Sequence, residues 1–73
     1  MHTIYIHIDE DLDQEGLRKL KDDLLKQAHI TDVEVSDKTP HDLLVEFEED
    51  HVTPMAILRE IGRQGLHADI MTG

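Results

Sequence analysis

The apolar residues of this chain repeat with two different periods, and the order of those periods is what most restricts its fold. From Thr3 to Ile8 the period is two: Ile4, Ile6 and Ile8 alternate with Tyr5 and His7, as in a strand with one buried face. Past the acidic stretch Asp9 to Glu15 it lengthens. Leu17, Leu20, Leu24 and Ala28 stand at helical spacing among charged residues, which predicts an amphipathic helix reaching about Ala28 and capped by Asp11 or Asp13. Val33 and Val35, alternating with Asp32 and Glu34, predict a second strand. Leu43, Val45 and Phe47 predict a third, with Leu44, Glu46 and Glu48 facing outward. Ser36 to Asp42, containing Asp-Lys-Thr-Pro, reads as the hairpin connection between these two. Thr53-Pro54 is a cap followed by proline at the first helical position, Ile57, Leu58 and Ile61 form a buried stripe, and Gly65 is the stop. Ala68 and Ile70 predict a short last strand.

Strand, helix, strand, strand, helix, strand is satisfied most economically by an α+β fold. The expectation is a ferredoxin-like βαββαβ sandwich, a four-stranded antiparallel sheet with two helices on one face. A chain of 73 residues holds one core, so residues 1–73 are expected to form a single domain. In that topology Ile8 to Glu15, Ser36 to Asp42 and Gly65 to His67 share one end. His29, Thr31 and Glu49 to Thr53 share the other. The open face of the sheet should carry Tyr5, His7, Glu34, Leu44, Glu46, Asp69 and Met71.

Seventeen acidic side chains against 7 basic ones leave a formal charge of −10. DNA, RNA and acidic lipid would be repelled unless the cations were segregated, and here Arg18, Lys19, Lys21 and Lys26 are interspersed with Glu15, Asp22 and Asp23. One Tyr, one Phe and no Trp provide no stacking platform for bases. A basic protein or a cation is the partner this charge attracts. No apolar run approaches the roughly 20 residues of a membrane span, and Met1 to Asp9 carries no basic region. A cytoplasmic address is the default expectation. No cysteine is present, which removes disulfides, thiol nucleophiles and Cys-His zinc frameworks.

From Ile4 to Ile70 the chain resembles the heavy-metal-associated domain of copper chaperones and of metal-pumping ATPases. His29-Ile30-Thr31-Asp32-Val33-Glu34-Val35 is similar to that family's Gly-Val-x-x-Val-x-Val, and Leu44 to Glu48 continues the match. Ile57-Leu58-x-x-Ile61-x-x-x-Gly65-Leu66 is similar to its helix ending in Gly-Tyr. The family's functional motif is Met-x-Cys-x-x-Cys in the first loop. In the ungapped register Asp11 stands at the Met position, Asp13 and Gly16 at the two cysteines, and Leu66 at the tyrosine. A soft Cu(I) ion needs the two thiolates, so the resemblance implies the fold without the copper chemistry. Gly16 is then read as the remnant of a short residue facing the lost site.

Two constellations could hold an ion instead. Asp9, Glu10, Asp11, Asp13 and Glu15 offer hard oxygen ligands. However, Gln14 stands where an EF-hand loop demands glycine, and a solvated helix start suited to the dipole accounts for the same residues. Six histidines are present, and the fold brings His41 and His67 to the acidic loop, with His7 near it. Asp11, Asp13, His41 and His67 are therefore the candidate ligands for Zn²⁺, Ni²⁺ or Co²⁺, although no two histidines show the i, i+4 spacing of a helical ligand pair. Surface histidines without an ion are the plainer reading.

Catalysis has little to stand on. No serine or cysteine nucleophile has a neighbouring base and no glycine run cradles phosphate. Acylphosphatases share the topology but use an arginine in the first loop with an asparagine; this chain has no asparagine and its first loop is acidic. The expectation is a small acidic non-enzymatic binding module, monomeric or weakly dimeric, docking a protein partner in metal handling or regulation. The alternative is a cation-binding protein with Asp/Glu and His ligands. A third class, a small-molecule regulatory domain, would require a symmetric dimer.

Overall fold

Alternation along the first strand translates directly into burial: Ile4, Ile6 and Ile8 are buried, while Tyr5 between them is exposed and His7 half-buried. The computed structural model describes residues 2–35, 38–39 and 41–71. Their elements are β1 (His2–Ile8), α1 (Gln14–Leu25), β2 (Ile30–Val35), β3 (Asp42–Phe47), α2 (Pro54–Arg63) and β4 (Ala68–Met71). The strands form one sheet in the order β2-β3-β1-β4 with every neighbouring pair antiparallel. This is the ferredoxin-like arrangement. Ser36, Asp37 and Pro40 of the expected hairpin connection lie outside the described residues.

Both helices cover the same face. Leu20 and Leu24 of α1 and Ile57 and Ile61 of α2 join Ile4, Ile6, Ile8, Val33, Leu43, Val45 and Phe47 in one core. Leu12, Val35, Val52, Leu58, Leu66, Ala68 and Ile70 close its margins. No charged or polar residue is buried among the described residues, so the core is held by apolar contact alone. Burying one such side chain stabilises by about 1.5–3 kcal/mol, which makes each member matter in a chain this small.

Two expectations need correction. The first helix stops at Leu25, not at Ala28. Its last turn tightens as Lys26 N–H donates to the carbonyls of Asp22 and Asp23 and Gln27 N–H to that of Leu24 (3.1, 3.2 and 3.1 Å), and Ala28 is exposed. His29 then turns the chain with φ 73°. That left-handed backbone is what glycine supplies freely, and His29 is the residue matched to the glycine of the family pattern. The second strand consequently starts early, at Ile30. Ile30 and Val33 both reach the core although three apart, because the pairing with β3 shifts between Ile30 and Asp32. A bulge adds one residue and flips the alternation. Thr31, the additional residue, donates its hydroxyl to the Glu46 carbonyl (3.0 Å).

The second helix starts as its sequence dictates. Thr53 Oγ1 accepts from Ala56 N–H (3.2 Å) with Pro54 following, and Gly65 leaves the helix at φ 83°.

Candidate functional site

The acidic loop after β1 is tied down on two sides. Ile8 N–H donates to the His41 carbonyl (2.8 Å) and Asp9 N–H to the His67 carbonyl (2.9 Å), so the connections before β3 and β4 do meet the first loop. Side chains reinforce this. His41 donates from Nδ1 to the Ile8 carbonyl (2.8 Å) and holds Asp11 Oδ1 through Nε2 (2.8 Å). Only an imidazolium donates at both nitrogens, and the His41 pKa is accordingly raised, chiefly by the Ile8 carbonyl and further by Asp11. Glu10 takes His67 in a two-point clamp, with Oε1 accepting from the backbone N–H (2.7 Å) and Oε2 from Nδ1 (2.6 Å). The His67 side-chain bond pushes the Glu10 carboxyl down and the same bond raises His67. On the open face His7 Nδ1 donates to Asp42 Oδ1 (3.0 Å), and its ring lies 5.6 Å from that of His41.

Of the four candidate ligands, the structure joins Asp11 to His41 and places His67 with Glu10. Asp13 does other work: its Oδ1 accepts from Gly16 N–H (2.7 Å) as the N-cap of α1. That cap also accounts for Gly16. A Cβ there would stand 3.1 Å from Asp13 Oδ1 and 3.5 Å from the Leu12 side chain, so the glycine admits the capping carboxylate closely. A Cu(I) cargo does not fit this loop. The two positions that would supply thiolates are a carboxylate already engaged by the helix and a residue with no side chain.

The open face is crossed by one row of paired residues. Glu34 of β2 stands against Leu44 of β3, Leu44 against Tyr5 of β1, and Tyr5 against Met71 of β4. Tyr5 is 53% exposed. A shallow depression of about 460 Å³ lies over this row and is bounded by Asp42 and Thr39. Carboxylates of Asp32, Glu34, Asp42, Glu46 and Asp69 flank the apolar centre on the outward positions of β2, β3 and β4, while Thr3 and His7 stand on either side of Tyr5 on β1.

At the far end of the sheet, where the expected topology already put His29 with Glu49 to Thr53, lies a group that sequence reasoning did not nominate as a site. His29 Nδ1 meets Glu48 Oε2 (2.9 Å), and the His29 and His51 rings stack with centroids 4.1 Å apart. Among the described residues this is the group of three whose candidate ligand atoms all lie within 4.8 Å of one another. The signal was present but topological. Because β2 and β3 are antiparallel, the residue before β2 must neighbour the residues after β3.

No protein-family model and no curated protein matches the sequence. Solved structures do match its shape. They include a copper binding domain from HMA7, a P-type ATPase, at TM-score 0.88 with 18% identity over 99% of this chain and 96% of that one. Oxidized MerP from Ralstonia metallidurans CH34 aligns at TM-score 0.86 with 13% identity over 97% of each chain. The yeast copper transporter domain CCC2A aligns at 0.86 with 15% identity over 99% and 97%. At these identities the likeness is one of fold. The chain has the heavy-metal-associated βαββαβ fold, and it has it without a single cysteine for the thiolate motif.

Proposed function

We propose that this chain is a non-enzymatic docking module that presents its open sheet face and the adjoining acidic loop to a basic protein partner in metal handling or regulation. The observation that carries the reading is the row Leu44–Tyr5–Met71, apolar and partly exposed, flanked by carboxylates on β2, β3 and β4. An apolar centre supplies affinity once desolvated, and a one-signed rim selects the sign of the partner and speeds the encounter. The metal-handling setting is suggested by the fold, since similar structures include a copper transporter domain and the CopZ metallochaperone. With −10 of formal charge on 73 residues, the complementary surface carries Lys and Arg around an apolar core.

The test is selection from a displayed peptide library, followed by titration of the isotope-labelled protein with the enriched peptides. Peptides combining basic and large apolar residues should be enriched, and they should shift the amides of Tyr5, Leu44, Met71 and residues 9–16. Tyr5→Glu and Leu44→Glu should abolish those shifts. Enrichment without basic residues, or shifts confined to the helical face, would reject the reading.

A further inference from the structure

We propose that His29, Glu48 and His51 form a binding site for a divalent transition-metal ion of the Zn²⁺ class, at the end of the sheet opposite the acidic loop. It stands apart from the docking face and takes the cation-binding alternative to residues that the sequence did not nominate. Two imidazoles and one carboxylate are the donor set of open three-ligand zinc sites, with the fourth position left to water. The mixture is too rich in nitrogen for Ca²⁺ or Mg²⁺ and lacks the sulfur that Cu(I) prefers.

The backbone places these residues before any ion arrives. Glu48 N–H donates to the His29 carbonyl (2.8 Å), and the Glu48 carbonyl accepts from both His51 N–H (3.0 Å) and Val52 N–H (3.0 Å). All three ligand residues thus hang on one hydrogen-bonded chain that joins the turn before β2 to the turn after β3. His29 is held at φ 73°, where glycine would meet no steric penalty, so an imidazole occupies a place that backbone geometry alone would give to a residue with no side chain. Glu49 and Asp50 adjoin Glu48 and raise the local cation concentration.

The ligand atoms lie within 4.8 Å of one another, against about 3.3 Å for donors bound tetrahedrally at zinc distances. All three side chains are exposed or half-buried, so torsional rotation closes that gap. The rings now stack, 13° from parallel, so binding requires them to unstack and turn their in-plane nitrogen lone pairs toward one ion. The ion takes the place of the proton that His29 Nδ1 shares with Glu48 Oε2.

The experiment is a Zn²⁺ titration of the untagged protein, followed by calorimetry and by two-dimensional NMR of amides and imidazoles. One saturable ion per chain is expected, with shifts centred on His29, Glu48 and His51. His29→Asn, which tolerates the left-handed backbone, His51→Gln and Glu48→Gln should each weaken binding at least about tenfold, since loss of a mere outer partner of a ligand already costs 10–100-fold. Their amide spectra should stay native away from the site. His41→Asn and His67→Asn should leave the affinity unchanged. Absence of saturable binding below about 100 μM, or loss of binding in the His41 or His67 variants but not in the His51 variant, would overturn the assignment.

Discussion

His29 and His51 lie face to face, ring centroids 4.1 Å apart and planes 13° from parallel, although a whole hairpin separates them in the chain. The contact follows from strand pairing. Ile30 stands opposite Phe47, so the turn that enters β2 must lie against the turn that leaves β3. His29 contributes its ring from a backbone with φ 73°, and that combination yields a first prediction.

Replacing His29 by glycine should leave stability within about 1 kcal/mol of the parent. The relief of a left-handed non-glycine backbone, about 1–2 kcal/mol, offsets the loss of an exposed hydrogen bond to Glu48, about 0.5–1.5 kcal/mol. Valine at the same position should be the least stable, because a β-branched residue tolerates this φ poorly. Urea denaturation checks the order, glycine at least equal to histidine and both above valine. A valine variant as stable as the glycine one would contradict the left-handed turn.

The helix cap should be readable in a double-mutant cycle. Asp13→Ala removes the bond to Gly16 N–H and should cost about 1 kcal/mol. Asp11→Ala, which loses only a surface pair with His41, should cost less than about 1 kcal/mol. Gly16→Ala gains up to about 1 kcal/mol of helix propensity, but its Cβ would press the capping oxygen at 3.1 Å. The full gain should therefore appear only in the Asp13→Ala background, as a coupling between the two sites in thermal or urea melts.

The two-point clamp of Glu10 on His67 makes stability depend on pH from both sides. His67 has its pKa raised by the Glu10 bond, so its contribution is complete below the ordinary value of 6.5 and fades as pH rises through the higher folded value. Glu10 has its pKa lowered by His67, so its contribution is present above the ordinary 4.5 and fades as pH falls through the lower folded value. The clamp is thus strongest between those two ordinary values. Melting temperature should decline as pH rises above 6.5, and the decline should be smaller in His67→Gln. For His41, Asp11→Asn should lower the titration midpoint seen by NMR only in part, because the Ile8 carbonyl is the larger cause.

Phe47→Ala should come close to unfolding the protein. Phe47 is fully buried at 0% exposure, and its truncation costs about 3–5 kcal/mol. A chain of 73 residues at about 0.05–0.15 kcal/mol per residue has roughly 4–11 kcal/mol in total. Tyr5→Thr, on the other face of the same sheet, removes cross-strand contacts with Leu44 and Met71 and should cost about 0.2–1 kcal/mol. Circular dichroism of both variants against urea provides the comparison.

Much of the architecture was legible because apolar periodicity is a local property. Ile4, Ile6 and Ile8, then Leu17, Leu20 and Leu24, then Leu43, Val45 and Phe47 each announce their element and its buried side, and Thr53-Pro54 announces a helix start. The misreadings fall where the chain changes period. Ala28 continues the helical spacing of Leu24 on paper, but a left-handed residue at His29 ends the helix sooner. Ile30 and Val33 break alternation because a bulge lies between them.

The candidate site was less legible, since side-chain chemistry in this fold is assembled between turns. Asp13 looks like any loop carboxylate until Gly16 N–H is seen to occupy it. His41 and His67 were correctly placed beside the acidic loop by topology alone, yet which carboxylate each would take depended on rotamers and on carbonyl positions that periodicity does not encode. The absence of thiolates needed no coordinates at all. That His29 and His51 share an end followed from the expected topology, but the stacking of their rings and the contact of His29 with Glu48 were decided by tertiary structure, because antiparallel pairing of β2 with β3 brings together residues with no shared local pattern.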